Sequence, residues 1–191
     1  MAYELGEIVL YFDKYFKSLE RCVIQRDVSG KRTIVCGDQS YFYDEQYLRK
    51  VTQDLVLPIA EYNSVNLASL DLHSIDMSQC KVKELFCENN PDLDTVKWPT
   101  KLEELSLTGT KLRSPACHLR KLYAEPSNIG NGTVADLINL EGTNGALWGL
   151  RVKSSSVFLT DTGTFIQLPQ GSVFRTKLEL IQNGLKKNAC F

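Results

Sequence analysis

The sequence predicts a β-rich α+β fold in which a stack of short parallel strands lies between an N-terminal α/β cap and a C-terminal antiparallel β cap. Three observations predict it: a leucine spacing that recurs through the middle of the chain, a first segment with apolar residues at helical steps, and a last segment that alternates with period two. At 191 residues, with 43% hydrophobic and 24% charged side chains, the chain is long enough for one sizeable core and has an ordinary globular composition. The parts read as 1–64 for the first cap, 65–157 for the repeats and 158–191 for the second cap, within one structural unit.

In the first part, Leu5, Val9, Phe12, Phe16, Leu19 and Val23 step by four, three, four, three and four, a single helical stripe that predicts a helix over 4–20. Arg21–Asp27 and Lys31–Cys36 flank Val28-Ser29-Gly30 and read as a β-hairpin. A second helix is expected from Asp44 to about Leu57, stopped by Pro58. Glu4 and Glu7 stand where a signal peptide would carry basic residues, so the chain reads as intracellular, in cytoplasm or nucleus. Cys22 and Cys36 sit on the two hairpin arms, and in a reducing compartment they are expected to be free core thiols.

The middle of the chain repeats. Leu67-Ala-Ser-Leu70-Asp-Leu72, Leu102-Glu-Glu-Leu105-Ser-Leu107 and Leu147-Trp-Gly-Leu150-Arg-Val152 share the spacing L-x-x-L-x-L, with softer copies starting at Val82, Leu119 and Val134. Five positions after the central leucine stand Asn90, Thr110, Ser127, Gly142 and Ser155, small residues suited to turning the chain, with Ile75 out of character. Successive starts are 15, 20, 17, 15 and 13 residues apart. Pro91, Pro99, Pro115 and Pro126 fall between the strands and suit extended connections.

Over residues 65–157 this pattern resembles the leucine-rich-repeat family. The stretch Trp98-Pro99-Thr100-Lys101-Leu102-Glu103-Glu104-Leu105 looks like the proline-led short repeats of secreted bacterial effectors and of some F-box adaptors. The resemblance implies a leucine-rich-repeat-like parallel stack, its leucines facing inward and its strands lining a concave side that binds a protein partner. Repeats this short leave no room for a helix on the convex side.

After the repeats, Val157–Thr160 and Thr164–Leu168 flank Asp161-Thr162-Gly163 as a hairpin, and residues 173–180 alternate as a third strand. Asp161-Thr162-Gly163 resembles the aspartic-protease signature, but a single copy on a turn reads as turn chemistry. Cys117-His118 are neighbours in sequence, and adjacent residues on an extended segment point apart, which disfavours a nucleophile and base pair. A hydrolase using Asp161 or Cys117 is therefore an alternative reading, not the leading one, and an effector-type repeat protein acting inside a host cell is the other alternative. The six cysteines lack zinc-site spacing, no glycine loop matches a nucleotide-binding motif, and no metal or cofactor is expected.

Net charge is −1, with no general drive toward nucleic acid, and no apolar run is long enough to span a membrane. The remaining candidates are strand residues pointing away from the leucines: Asp71, His73, Glu84, Phe86, Glu88, Glu104, Thr108, Lys121, Tyr123 and Arg151. Residues 67–104 hold eight acidic and four basic side chains, and 151–191 six basic and two acidic, so the expected partner surface is basic over the first half of the groove. The function expected is that of a non-enzymatic interaction module or adaptor, with Phe86 and Tyr123 as anchors.

Overall fold

Val65, Leu85, Leu105 and Leu122 stand side by side on four parallel strands, and Ile138 and Phe158 continue the column. This computed structural model describes residues 3–128, 130 and 133, and beyond them the strands between Val134 and Asn188. The N-terminal strands are β1 (Ile8–Asp13), β2 (Ser18–Arg26), β3 (Arg32–Cys36), β4 (Gln39–Tyr41) and β5 (Leu48–Lys50). The stack follows with β6 (Asp54–Val56), β7 (Glu61–Asn66), β8 (Ser74–Asp76), β9 (Lys81–Phe86), β10 (Thr95–Lys97), β11 (Glu104–Ser106), β12 (His118–Ala124) and β13 (Val134–Leu140). Last come β14 (Ala146–Arg151), β15 (Ser156–Leu159), β16 (Phe165–Leu168), β17 (Val173–Thr176) and β18 (Lys187–Asn188).

Two sheets build the stack. The long one runs β18-β16-β15-β13-β12-β11-β9-β7-β2-β1-β5, parallel from β15 through β7 to the start of β2 and antiparallel at both ends. The short one is β10-β8-β6, all parallel. Three turns of the solenoid each lay one short-sheet strand and then one long-sheet strand, β6 then β7, β8 then β9 and β10 then β11, and apolar side chains fill the space between. Leu55, Ile75, Leu57 and Met77 come from the short-sheet side, and Tyr62, Val65, Val82, Leu85, Leu105 and Leu122 from the long sheet. Parallel strands need a crossover, and between β7, β9 and β11 the facing sheet supplies it in place of a helix.

The turns after the long-sheet strands would bury backbone polar groups without partners, and side chains satisfy them. Asn90 is fully buried: its Oδ1 accepts from the N–H groups of Leu70 (3.0 Å) and Leu72 (3.2 Å), and its Nδ2 donates to the carbonyls of Leu67 (2.8 Å) and Cys87 (2.9 Å). One turn on, Thr110 Oγ1 donates to the Leu107 carbonyl (2.7 Å), and Asn128 Nδ2 reaches the carbonyls of Thr110 and Leu112. Ser69, Asn89 and Gly109 occupy equivalent places at φ of 55°, 56° and 71°. Stacking there is close, for a Cβ on Gly109 would lie 3.3 Å from the backbone of Asn89.

Several sequence expectations are corrected. The repeat unit is 20, 20, 17, 16 and 20 residues long, counted between the residues of the central column. The first copy is Tyr62-Asn-Ser-Val65-Asn-Leu67, five residues before the leucine match; Leu70 and Leu72 are buried turn residues instead. Asp71 and His73 therefore leave the long sheet: both are exposed beside the start of β8, Asp71 with φ 53°. In the fourth copy Asn128, not exposed Ser127, is the turn residue. Residues 134–140 pair one residue out of the expected register, Leu122 with Ile138. Arg151 lies on β14, which pairs antiparallel with β17 outside the parallel stack.

Neither expected helix forms, so the N-terminal cap is β and not α/β; the only helical segments among the described residues are 3-10 turns at Glu45–Tyr47 and Pro126–Asn128. Ile8-Val9-Leu10-Tyr11-Phe12 is a β-branched and aromatic run, and as β1 it has both faces covered. Leu10 joins the core of the stack, and Val9 joins a second core with Tyr3, Cys22, Ile24, Ile34 and Leu48. A strand buried on both faces loses the two-residue alternation, and its apolar positions then mimic helical steps. The turn Asp13–Lys17 closes it, with Asp13 Oδ1 accepting from the N–H groups of Tyr15 and Phe16. Asp44 caps a single 3-10 turn, after which Leu48 and Leu55 are inward residues of two short strands.

The expected hairpins stand. β2 and β3 pair around Asp27–Lys31, and β15 and β16 pair around the segment holding Asp161, which lies outside the described residues. The third C-terminal strand, β17, joins β14 and not that hairpin. Because Val23 pairs with Val35, Cys22 falls opposite Cys36, and the two form a disulfide with Cα atoms 4.3 Å apart, against the expectation of free thiols.

Asn90→Ala strands two N–H groups and two carbonyls in the core and is expected to cost about 3–5 kcal/mol, against about 1 kcal/mol for Thr110→Val. Urea unfolding of the pair checks this; equal losses would remove the asparagine from its structural role. Reducing the disulfide, which closes a loop 14 residues apart in sequence, is expected to lower stability by about 2–3 kcal/mol, read as a lower melting temperature in dithiothreitol.

Candidate binding face on the long sheet

Inward positions of L-x-x-L-x-L go to the core, so the third and fifth positions of each copy face away from it. Register makes them rows. Ser64, Glu84, Glu104 and Lys121 form one, and Asn66, Phe86, Ser106 and Tyr123 the next. Of the sequence-expected residues, Glu84, Phe86, Glu104, Lys121 and Tyr123 come together here. Glu88 and Thr108 follow in the turns at the same edge, where the Asn89 N–H bonds the Thr108 carbonyl. The side chain of Arg151 lies outside the described residues.

Phe86 and Tyr123 are half-buried and lie two strands apart, about 9–10 Å. Between them Ser106 is only 2% exposed, although it faces outward. Glu104 differs from its row neighbours: it is 5% exposed and paired with Arg120 and, at 3.2 Å, with Lys121 Nζ. Its charge is thus spent within the sheet, and Glu84 is the carboxylate the row presents outward.

The row through Asn66 runs on into a groove of about 520 Å³ against the N-terminal strands, lined by Tyr11, Phe16, Glu20, Tyr41 and Phe42 among others. Phe16 and Phe42 are 72% and 69% exposed. Three carboxylates, Asp13, Glu20 and Asp38, and one guanidinium, Arg21, line it. Burial raises the Glu20 carboxyl above its ordinary value, opposed by hydrogen bonds from Asn66 and Ser18. The disulfide borders this groove through Cys36, next to Gly37 at the β3–β4 turn, φ 59°. Sequence reading missed the groove because a helix over 4–20 turns Tyr11 away from the face of Phe16 and Glu20; the signal was the cluster of aromatics between 11 and 16 and again between 41 and 43.

Of the two catalytic alternatives, Asp161 lies outside the described residues, and the Cys117 thiol is not activated. Cys87 is fully buried and its thiol is pushed far up by burial; burial likewise raises Cys80 and half-buried Cys117, the reverse of what a nucleophile needs. No group of three or more His, Cys, Asp or Glu positioned for a metal occurs among the described residues. No helix among them is long and apolar enough to cross a membrane. No protein-family model, no curated protein and no solved structure matches the chain.

Since the fold holds the Glu20 proton more tightly than the unfolded chain does, stability is expected to fall as pH rises from the ordinary carboxylate range through the raised value. Glu20→Gln removes that contribution. The difference between the variant's and the parent's melting temperatures should therefore grow from pH 4 to pH 7; a difference independent of pH would place Glu20 in water.

Proposed function

We propose that this chain is a non-enzymatic binding module of leucine-rich-repeat type, acting as an adaptor whose protein partner lies across the outer face of the long sheet. The observation that carries the reading is the pair Phe86 and Tyr123, left half-exposed on a rigid parallel sheet with no core role, over a buried serine. Aromatic anchors ringed by polar groups are the usual anatomy of an interaction hot spot. Glu84 and the carboxylates of the adjoining groove favour a basic partner surface. Support for the repeat type comes from the 20-residue unit and the turn asparagine Asn90, while the crossovers here are strands. The Cys22–Cys36 disulfide favours work in an oxidising compartment over the cytosol or nucleus expected from the N-terminus.

Phe86→Ala and Tyr123→Ala are each expected to leave the melting temperature nearly unchanged and to weaken partner binding by at least about 2 kcal/mol, roughly 30-fold. Glu84→Lys should slow association and blunt its salt dependence, with dissociation little changed. Affinity capture from the native source with the parent and the Phe86, Tyr123 double variant, followed by titration of the captured protein, checks both. A partner retained equally by folded parent and variant would end the reading.

A further inference from the structure

The two sheets of the stack do not end together. On the N-terminal side the long sheet continues past β7 through β2, β1 and β5, whereas the short sheet stops at β6. The inward side chains Leu10, Phe12 and Leu19 of the added strands therefore face no strand of the short sheet. A cavity of about 420 Å³ lies there, lined by these three with Leu55, Leu57 and Tyr62.

Among the described residues, no strand pairs with the edge of β6 beside this cavity. Leu57 donates to the Asp76 carbonyl, and Gln53 accepts from Ser74, so the odd-numbered residues of β6 direct their backbone groups to β8. In a parallel ladder the even-numbered residues then direct theirs to the other side. There the Asp54 carbonyl is taken by Thr52 Oγ1 at 2.8 Å. The N–H and carbonyl of Val56 meet no partner among the described residues. Val56 and Ile59 flank the opening, 72% and 78% exposed.

We infer that this end of the short sheet is a second binding site, which takes an extended segment of a partner protein as an added strand beside β6. Polarity and pattern agree on that occupant. The unpaired N–H and carbonyl of Val56 are what an added strand satisfies and a purely apolar ligand does not. The three short-sheet strands themselves show what the lane accepts: inward apolar residues two apart, Leu55 and Leu57, Ile75 and Met77, Val96 and Trp98. The segment recognised is therefore apolar-x-apolar. The site is separate from the outer face of the long sheet and does not rest on the function proposed for that face.

The probe is a fluorescently labelled peptide copying residues 71–79 of this chain, which carries Ile75 and Met77, titrated against the full chain by anisotropy. Binding is expected, and the copy with Ile75→Ser and Met77→Ser should bind at least 10-fold more weakly. Val56→Pro deletes an N–H that β8 does not use, so it should spare the fold and weaken the peptide at least 10-fold. Ala60→Phe, which fills the cavity from its wall, should do the same and covers the case in which the proline variant fails to fold. Absence of peptide binding, or binding insensitive to Ala60→Phe, overturns the site. So does laurate binding that Ala60→Phe blocks without any peptide binding, which makes the cavity a small-molecule pocket. Val56-dependent dimerisation in sedimentation would overturn the heterologous occupant in favour of a second copy of this chain.

Discussion

Parallel pairing that keeps Val65, Leu85, Leu105 and Leu122 in one column is the constraint on which the remaining structure depends. Side chains on a strand alternate between faces, so this column also determines which residues can appear on the other side of the sheet. A slip of one residue at β9 would turn Leu85 outward and bury Glu84. The rows through Glu84 and Phe86 are thus consequences of core packing, and their rigidity is that of the core.

The column is maintained where the chain leaves the sheet. Buried turns cost stability for every backbone group without a partner, and the stack answers with Asn90, Thr110 and Asn128, whose side chains bond the backbone of their own or the preceding turn. The first copy has apolar Leu70 at the equivalent position and borrows Asn90 from its neighbour. Repeats of this kind are cooperative through such loans: the first turn takes bonds from Asn90 of the second, and the third from Asn128 of the fourth.

Ends are the difficulty of any stack, because they expose both an apolar cross-section and unpaired backbone. Here the long sheet is closed at both ends by antiparallel strands, and the N-terminal closure is tied by the Cys22–Cys36 disulfide across β2 and β3. The same closure creates the aromatic and acidic groove that continues the row of Asn66, Phe86 and Tyr123. Among the described residues the short sheet has no such closure, and there β6 has an unpaired edge above an apolar cavity. Surface with binding potential therefore gathers at the N-terminal end, where the two sheets differ in length.

By itself the sequence determined that the chain is β-rich and repetitive, that Leu102, Leu105 and Leu107 and Leu119, Leu122 and Ala124 point inward, and that Phe86 and Tyr123 point outward. Local spacing suffices for this, since an L-x-x-L-x-L copy broken by proline and asparagine has only one face to bury. Only the tertiary structure decided the first copy, where Tyr62 and Val65 hold the leucine positions and the more regular Leu67-x-x-Leu70-x-Leu72 is displaced into the turn. It also decided that 8–13 is a strand, because burial on two faces by two separate cores erases the alternation that identifies one. The pairing of Cys22 with Cys36, the sequestration of Glu104 by Arg120 and Lys121, and the groove around Glu20 depend on contacts between segments whose relative register no local pattern encodes. Spacing within a segment is set by its own side chains, whereas the ends of a stack are set by how many strands each sheet receives, and that count exists only in the folded chain.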